Sequence, residues 1–256
     1  MIKAAEIFQY INDIAPFDTA MSFDNVGILI GSREAESKRV LLALDASRAV
    51  IEEAKEKQAG IVITHHPVIF NPLKRLMEQS VPYAAARYGI TIISAHTNLD
   101  VARGGVNDTL AGCIGVEPEQ FFDEDCALLG IIDTEMTARG FAERIRDRMK
   151  LRGLRYTDCD HGIRKVMVSC GAGGSNIFLA AELGADAFVT GEIKHHEIVF
   201  ANDNGIAVFD LGHFQSEDAV IPLLAQKLAG RFPETEFIVS ENDNDGVSYL
   251  AQAKQH

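Results

Sequence analysis

The stretch RVLLALD (39–45) is apolar at most of its positions. It precedes SRAVIEEAKEKQA, where apolar residues recur at helical spacing. AGIVITHHP follows as a second short apolar run and ends on two histidines. Short apolar runs on either side of an amphipathic stretch predict a strand–helix–strand unit. The same rhythm returns in KVMVSCG (165–171), SNIFLAAELGA and ADAFVTGE. A constant shift that carries Thr64 onto Thr190 overlays Arg39–Thr64 on the later unit without a gap. It also brings Ala54 onto Ala180, Glu56 onto Glu182 and Ala59 onto Ala185. The amino terminus, MIKAAEIFQYINDIA, reads as a first amphipathic helix.

The correspondence continues beyond these units. After a helical segment near 79–88 comes YGITIISAHTNLD, and after one near 195–204 comes NGIAVFDLGHFQSE. Each is a Gly-Ile strand running into a histidine with a carboxylate four residues on, His96 with Asp100 and His213 with Glu217. Any βαβ units share an apolar rhythm, but that rhythm does not account for the paired His-x-x-x-acid ends, which point to an internal duplication. The expected fold class is α/β, with two pseudo-repeated lobes of mixed sheets flanked by helices. The first lobe spans 1–125 with the His-His and HTNLD segments. The second spans 126–256 with GAGG, GEIKHHE and GHFQSE. The polar stretch from Glu117 to Asp125 is expected to join them. Ligands of open α/β sheets collect beyond the carboxyl ends of strands. His65, His66, Asp100, His213 and Glu217 all lie just past such ends, so one site between the lobes is the natural expectation.

Composition narrows the function. The hydrophobic share of 47% is that of a globular chain. The formal net charge of −13 works against a nucleic-acid partner, because phosphate binding draws its affinity from Lys and Arg. No apolar run approaches the roughly eighteen residues that span a bilayer, and the amino terminus lacks the apolar block of a secretory signal. Cys113, Cys126, Cys159 and Cys170 are scattered without a C-x-x-C pair, which fits a reducing, cytoplasmic setting and neither a zinc knuckle nor a redox motif.

The candidate chemistry lies at the strand ends. Two adjacent histidines leaving a strand diverge, so His65 and His66 suit two neighbouring ions better than one, and Pro67 stiffens the turn after them. Asp100 is placed either to cap a helix over VNDTLAGCIG or to bridge two cations with its two oxygens. His96 is read as donating a ring N–H to a ligand carboxylate, with direct ligation as the alternative. If GHFQSED is helical, His213 and Glu217 project from one face. Pro222 then predicts a kink or a later true helix start. Three imidazoles and two carboxylates suit zinc, manganese, iron or nickel better than calcium, and five ligands for two ions leave positions for water. GAGGSN (171–176) offers Gly171, Gly173 and Gly174 as an anion cradle of the kind that binds phosphate, or simply as a tight turn. GEIKHHE places Glu192, His195 and His196 as acid–base candidates, or as an exposed helix start. SFDNVGILIG, with Asp24-Asn25-Val26-Gly27, reads as a turn before a strand.

FDNVGILIG, ITHHP, AHTNLD, GAGG, TGE and GHFQSE occur together and in the order found in the Nif-three-like family, which this chain resembles over nearly its whole length. Bacterial members of that family carry the name GTP cyclohydrolase 1 type 2 homologue. The resemblance implies a dinuclear metal centre on His65, His66, Asp100, His213 and Glu217. It also implies a ring-shaped homohexamer with its metal sites facing an internal cavity. The chain departs from the family in carrying Phe23 where many members have Trp, and in having no room for the domain that longer members insert between the lobes. The function expected on these grounds is metal-dependent hydrolysis of a nucleotide or related heterocycle such as GTP. A metal-binding scaffold, metal chaperone or regulatory interaction protein is the alternative.

Overall fold

The computed structural model describes residues 1–248 and residue 250. The chain begins with a two-residue strand, β1 (Ile2–Lys3), and helix α1 (Ala4–Ile14), which buries Ile7 and Ile11 on one face as the amphipathic pattern requires. β2 (Gly27–Ile30) follows, then β3 (Glu36–Ser37), antiparallel to β1. The first repeat consists of β4 (Arg39–Ala43), α2 (Arg48–Glu56), β5 (Ile61–Thr64), α3 (Val81–Tyr88) and β6 (Thr91–Ser94). β4, β5 and β6 are parallel, and β2 pairs antiparallel with β6. Every residue of β5 and β6 is buried, which is why these strands read as unbroken apolar runs. The Ser47 side chain accepts a hydrogen bond from the Val50 amide and so caps α2, while Gly89 ends α3 at a φ of 70°. Two further helices complete this stretch, α4 (Thr97–Val101) and α5 (Val106–Ile114).

The second sheet is built from β7 (Val116–Phe122), β8 (Ala127–Met136), β9 (Arg155–Tyr156), β10 (Ile163–Ser169), β11 (Ala187–Thr190) and β12 (Ala207–Asp210). Its order is β7-β8-β10-β11-β12-β9. α6 (Ala138–Met149) follows β8, and α7 (Ile177–Glu182) and α8 (His195–Asp203) connect the parallel strands β10, β11 and β12. The duplication is visible in the register. Val40 pairs with Ile61 and Ala43 with Thr64 in the first repeat; Val166 pairs with Ala187 and Ser169 with Thr190 in the second. Both ends of each pair obey the one shift found in the sequence. The stretch from Glu117 to Asp125, expected to be a polar joint, is largely strand β7 followed by a short 3-10 turn. β7 lies at a sheet edge with its central residues exposed. An edge strand tolerates Pro118 and several carboxylates, so it resembles a linker in composition.

The chain ends with α9 (His213–Glu217), α10 (Val220–Arg231) and β13 (Glu236–Val239). Pro222 is accommodated by a break: α9 stops at Glu217, and the proline falls in the first turn of α10, where its missing N–H costs nothing. β13 pairs in parallel with β4, Glu236 opposite Arg39, which gives a first sheet ordered β13-β4-β5-β6-β2. The last helix and strand therefore belong to the first sheet, although the sequence groups them with the second repeat. Contacts divide the chain into one unit of Met1–Leu110, Phe121–Ala127 and Glu217–Asp243. The other comprises Ala111–Gln120, Leu128–Ser216 and the described residues after Asp243.

Glu53 on α2 fastens the segment after β13. Its carboxylate is buried, and it accepts hydrogen bonds from Ser240 Oγ (2.5 Å), from the amides of Glu241 and Asn242 (3.1 Å each) and from Lys57 Nζ (2.7 Å). Burial alone would raise the pKa of this carboxyl, but the donors outweigh it and hold the value near about 2, against an ordinary 4.5. A depressed carboxyl pKa contributes stability that is present above the ordinary value and is lost as the pH falls through the folded one. Here that is on the order of 3 kcal/mol, disappearing between about pH 4.5 and about pH 2. Glu53→Gln is expected to lose about 2 kcal/mol in urea unfolding at pH 7 and to flatten this part of the acid limb. An acid limb identical to wild type would show that the carboxylate does not supply it.

Candidate metal centre

Parallel pairing of β5 with β6 ends on Thr64 opposite Ser94, so the two chains leave the sheet side by side. Thr64 Oγ1 donates to the His66 carbonyl (2.8 Å) and lies 2.9 Å from Ser94 Oγ. The amides of His65 and His66 donate to the carbonyls of Ala43 and Leu44 on the neighbouring strand. Backbone bonds therefore fix His65, His66 and His96 before their side chains act. The three rings lie 5.0 to 5.6 Å apart, centroid to centroid.

One feature recurs in all four histidines of interest. Nδ1 of His65 is held by the Ala95 carbonyl, that of His66 by Asp45 Oδ1, that of His96 by Asp24 Oδ1 and that of His213 by Glu192 Oε1, each at 2.9 Å. An oxygen on Nδ1 fixes the ring's orientation and directs Nε2 away from that anchor. This is the arrangement that supports metal-ligating histidines.

His65 gives the sharpest test of fit. The Ala95 carbonyl can only accept, so Nδ1 carries the proton and Nε2 presents a lone pair. Burial pushes the ring pKa down to about 3 despite the nearby Glu217 carboxylate, so the ring is neutral at pH 7. That lone pair is buried without a hydrogen-bond partner among the described residues, 3.5 Å from Asp100 Oδ1 and 3.8 Å from Glu217 Oε2. Three electron-rich atoms converging in a buried space repel unless a cation lies among them. The candidate ligand atoms of His65, Asp100 and Glu217 fall within 4.8 Å of one another, as do those of His65, His66 and His96. The donors present fit a divalent transition ion.

The remaining geometry supports these groups. Asp100 is buried within α4, where Asn107 Nδ2 donates to its carbonyl. Glu217 is buried at the end of α9, one turn from His213, and its Oε2 lies 3.0 Å from His66 Nε2. Burial would lower the His66 pKa, but hydrogen bonds to Asp45 and Glu217 outweigh it and raise the pKa to about 10. His65, His66, His96, Asp100 and Glu217 all belong to the first unit.

Among the other expected site residues, Glu192 stands at the strand end and touches His213. His195 and His196 lie exposed at the start of α8, with His196 Nε2 3.9 Å from Glu197. The position matching His65 in the second repeat is Gly191. A Cβ there would approach Ser216 Oγ to 2.5 Å and His213 Cα to 2.9 Å, so no side chain fits. The glycines of GAGG also answer to packing. A Cβ on Gly173 would meet Ser169 Oγ at 2.2 Å, and one on Gly174 would meet the Glu192 carbonyl at 2.6 Å and the Glu197 carboxylate at 2.7 Å.

Sequence reading missed two anchors and assigned a third residue a different role. Asp24 was read only as a turn residue. It is buried, holds His96, and accepts from the Thr97 amide and hydroxyl. Burial would raise its pKa, but these bonds bring it down to about 2. Asp45 closes RVLLALD and carries no local signal. His96, read as supporting a carboxylate with direct ligation as the alternative, is itself held by one at Nδ1, and it offers a ring nitrogen within 4.8 Å of those of His65 and His66.

This architecture, repeated parallel βαβ units with imidazoles and carboxylates at the strand ends, defines an α/β protein able to hold metal. The profile of the Duf34/NIF3 (NGG1p interacting factor 3) family matches residues 2–246, and the chain belongs to that family. It is 32% identical to the GTP cyclohydrolase 1 type 2 homolog of Clostridium perfringens, over 97% of this chain and 100% of that one. It is 31% identical to NIF3-like protein 1 of Drosophila melanogaster, over 97% and 90%. Among solved structures, Staphylococcus aureus hypothetical protein SA1388 superposes with a TM-score of 0.89 at 26% identity, covering 97% of this chain and 99% of that one. Reduced HcgD from Methanocaldococcus jannaschii superposes with 0.83 at 28% identity, covering 94% and 98%. Among the described residues no helix is long and apolar enough to cross a membrane.

In chelator-treated protein, NMR titration is expected to show His66 protonated up to about pH 10 and His65 neutral down to about pH 3. Glu217→Gln replaces one of the two carboxylate acceptors on His66 with a neutral amide and should lower its pKa measurably. A His66 titrating near its ordinary 6.5 in both proteins would contradict this account of the charges.

Proposed function

We propose that the chain is a metal-dependent hydrolase of a nucleotide or related heterocycle, holding two divalent ions through His65, His66, Asp100, His213 and Glu217. The observation that carries the metal reading is the buried, unpartnered His65 Nε2 facing two carboxylates. The names of the bacterial relatives support the choice of substrate class. His96, oriented by Asp24 just as the other histidines are oriented by their own oxygens, is a further ligand candidate. Bound divalent ions would supply Lewis acidity and lower the pKa of water from about 15.7 toward roughly 7.

The protein's own groups prepare that chemistry. The Ala95 carbonyl, Asp45, Asp24 and Glu192 hold the imidazole rings in orientation at Nδ1 before any ion is bound. His66 must give up a ring proton to ligate through Nε2, which makes affinity rise with pH up to about 10. Glu192 is the acid–base candidate best placed among the three expected, being exposed while bonded to His213. His195 and His196 face solvent at the start of α8 and remain the other two acid–base candidates.

Protein purified without chelators or a histidine tag is expected to carry stoichiometric zinc, iron, manganese or nickel by elemental analysis. His65→Ala and Glu217→Gln should lose that metal, and Asp24→Asn should weaken its binding by roughly 10- to 100-fold. Turnover of GTP or another nucleotide in a panel should disappear with the metal. Stoichiometric metal with no turnover on any nucleotide would favour the scaffold or metal-chaperone role instead.

A further inference from the structure

Two large aromatic side chains stand in solvent beside the cluster. Phe23 is 64% exposed and Phe70 is 44% exposed, yet each is anchored by its neighbour. Phe23 precedes Asp24, which is bonded to His96 and Thr97. Phe70 follows Ile69, whose carbonyl accepts from Asn25 Nδ2 at 2.6 Å. The rings form a graded series. From the buried His65, the next centroid is His96 at 5.1 Å, then Phe70 at 6.2 Å in an edge arrangement, then Phe23 at 6.2 Å with an interplanar angle of 51°. Exposure rises along this series from the floor of the cluster to its mouth. All four residues lie in the first unit.

Exposed apolar rings held in fixed positions ask for a ligand. Neither ring offers a hydrogen bond, so what they select is a flat π-surface rather than a donor–acceptor pattern. Two rings inclined at 51° form a corner in which a planar ring laid on one face meets the edge of the other, and aromatic pairs favour both contacts. Continuity with His96 directs such a ring's substituents toward the carboxylate and imidazole cluster. We infer that Phe23 and Phe70 are the stacking platform for the planar heterocycle of the substrate, a purine or purine-like base, and set specificity for it. This inference rests on the hydrolase reading for its substrate class but not for the binding itself.

The test uses the holo protein and the same protein after chelation, with guanosine as probe and ribose 5-phosphate as the control lacking a base, followed by calorimetry or saturation-transfer NMR. Phe23→Ala and Phe70→Ala should each weaken guanosine binding roughly tenfold, the scale of losing one base–aromatic stack, with metal content and ribose 5-phosphate binding unchanged. Phe23→Trp should retain guanosine binding, and Phe23→Leu should lose it, because bulk without a π-face does not stack. Guanosine binding that is absent from wild type, unaffected by the alanine variants or preserved by Phe23→Leu overturns the proposal, as does an alanine variant that changes only the sedimentation coefficient. Guanosine binding that depends on both rings in a protein carrying no metal supports the platform while removing the hydrolase reading.

Discussion

The whole site depends on one buried ring nitrogen, His65 Nε2, which faces two carboxylates without a proton of its own. His65 Nε2 cannot hold a proton comfortably, because burial drives the ring to its neutral form and the Ala95 carbonyl claims the one ring hydrogen at Nδ1. Asp100 and Glu217 face the same atom. Such convergence is unfavourable by itself and would become favourable around a bound cation. The neighbouring His66 shows the contrasting solution. It is partly open to solvent, carries two carboxylate acceptors and keeps a proton to high pH. Adjacent residues on one backbone thus hold different charge states, one neutral and one cationic, and the difference comes from burial and partners alone.

That convergence is possible because of parallel pairing. Antiparallel strands would send the segments after Thr64 and Ser94 to opposite ends of the sheet. Parallel strands release them together. Bonds from Thr64 to the His66 carbonyl and from the Ala95 amide to Thr64 then carry the alignment two residues past the last paired position. The duplicated second repeat has the same register and the same strand-end threonine but a different continuation. Gly191 and Glu192 replace the histidine pair, since the start of α9 occupies the space that a side chain on residue 191 would need. The first repeat carries a pair of imidazoles at its strand end, and the second carries a carboxylate that holds His213.

The oxygen on Nδ1 of each of these four histidines shows how much of a ring's placement comes from other residues. Asp24, Asp45 and Glu192 come from three separate segments, and the fourth oxygen is a main-chain carbonyl. Each fixes a ring before any ion arrives. The same anchoring extends outward, since Asp24 positions His96 on one side and Phe23 on the other. The inner cluster and the aromatic rim are therefore parts of one hydrogen-bonded frame.

The amino-acid sequence by itself determined the repeated βαβ rhythm and put the candidates His65, His66, Asp100, His213 and Glu217 past the ends of its strands. These were legible because apolar periodicity and strand-end chemistry are local properties of the chain. Tertiary structure alone decided three matters. It placed β13 beside β4 and thereby brought Glu217 into the first unit, and it made an edge strand of the polar stretch after Val116. It also brought Asp24 to His96 and Asp45 to His66. Strand partners and side-chain anchors join residues far apart in the chain, and their choice follows from which surfaces pack together, a quantity that no window of sequence contains.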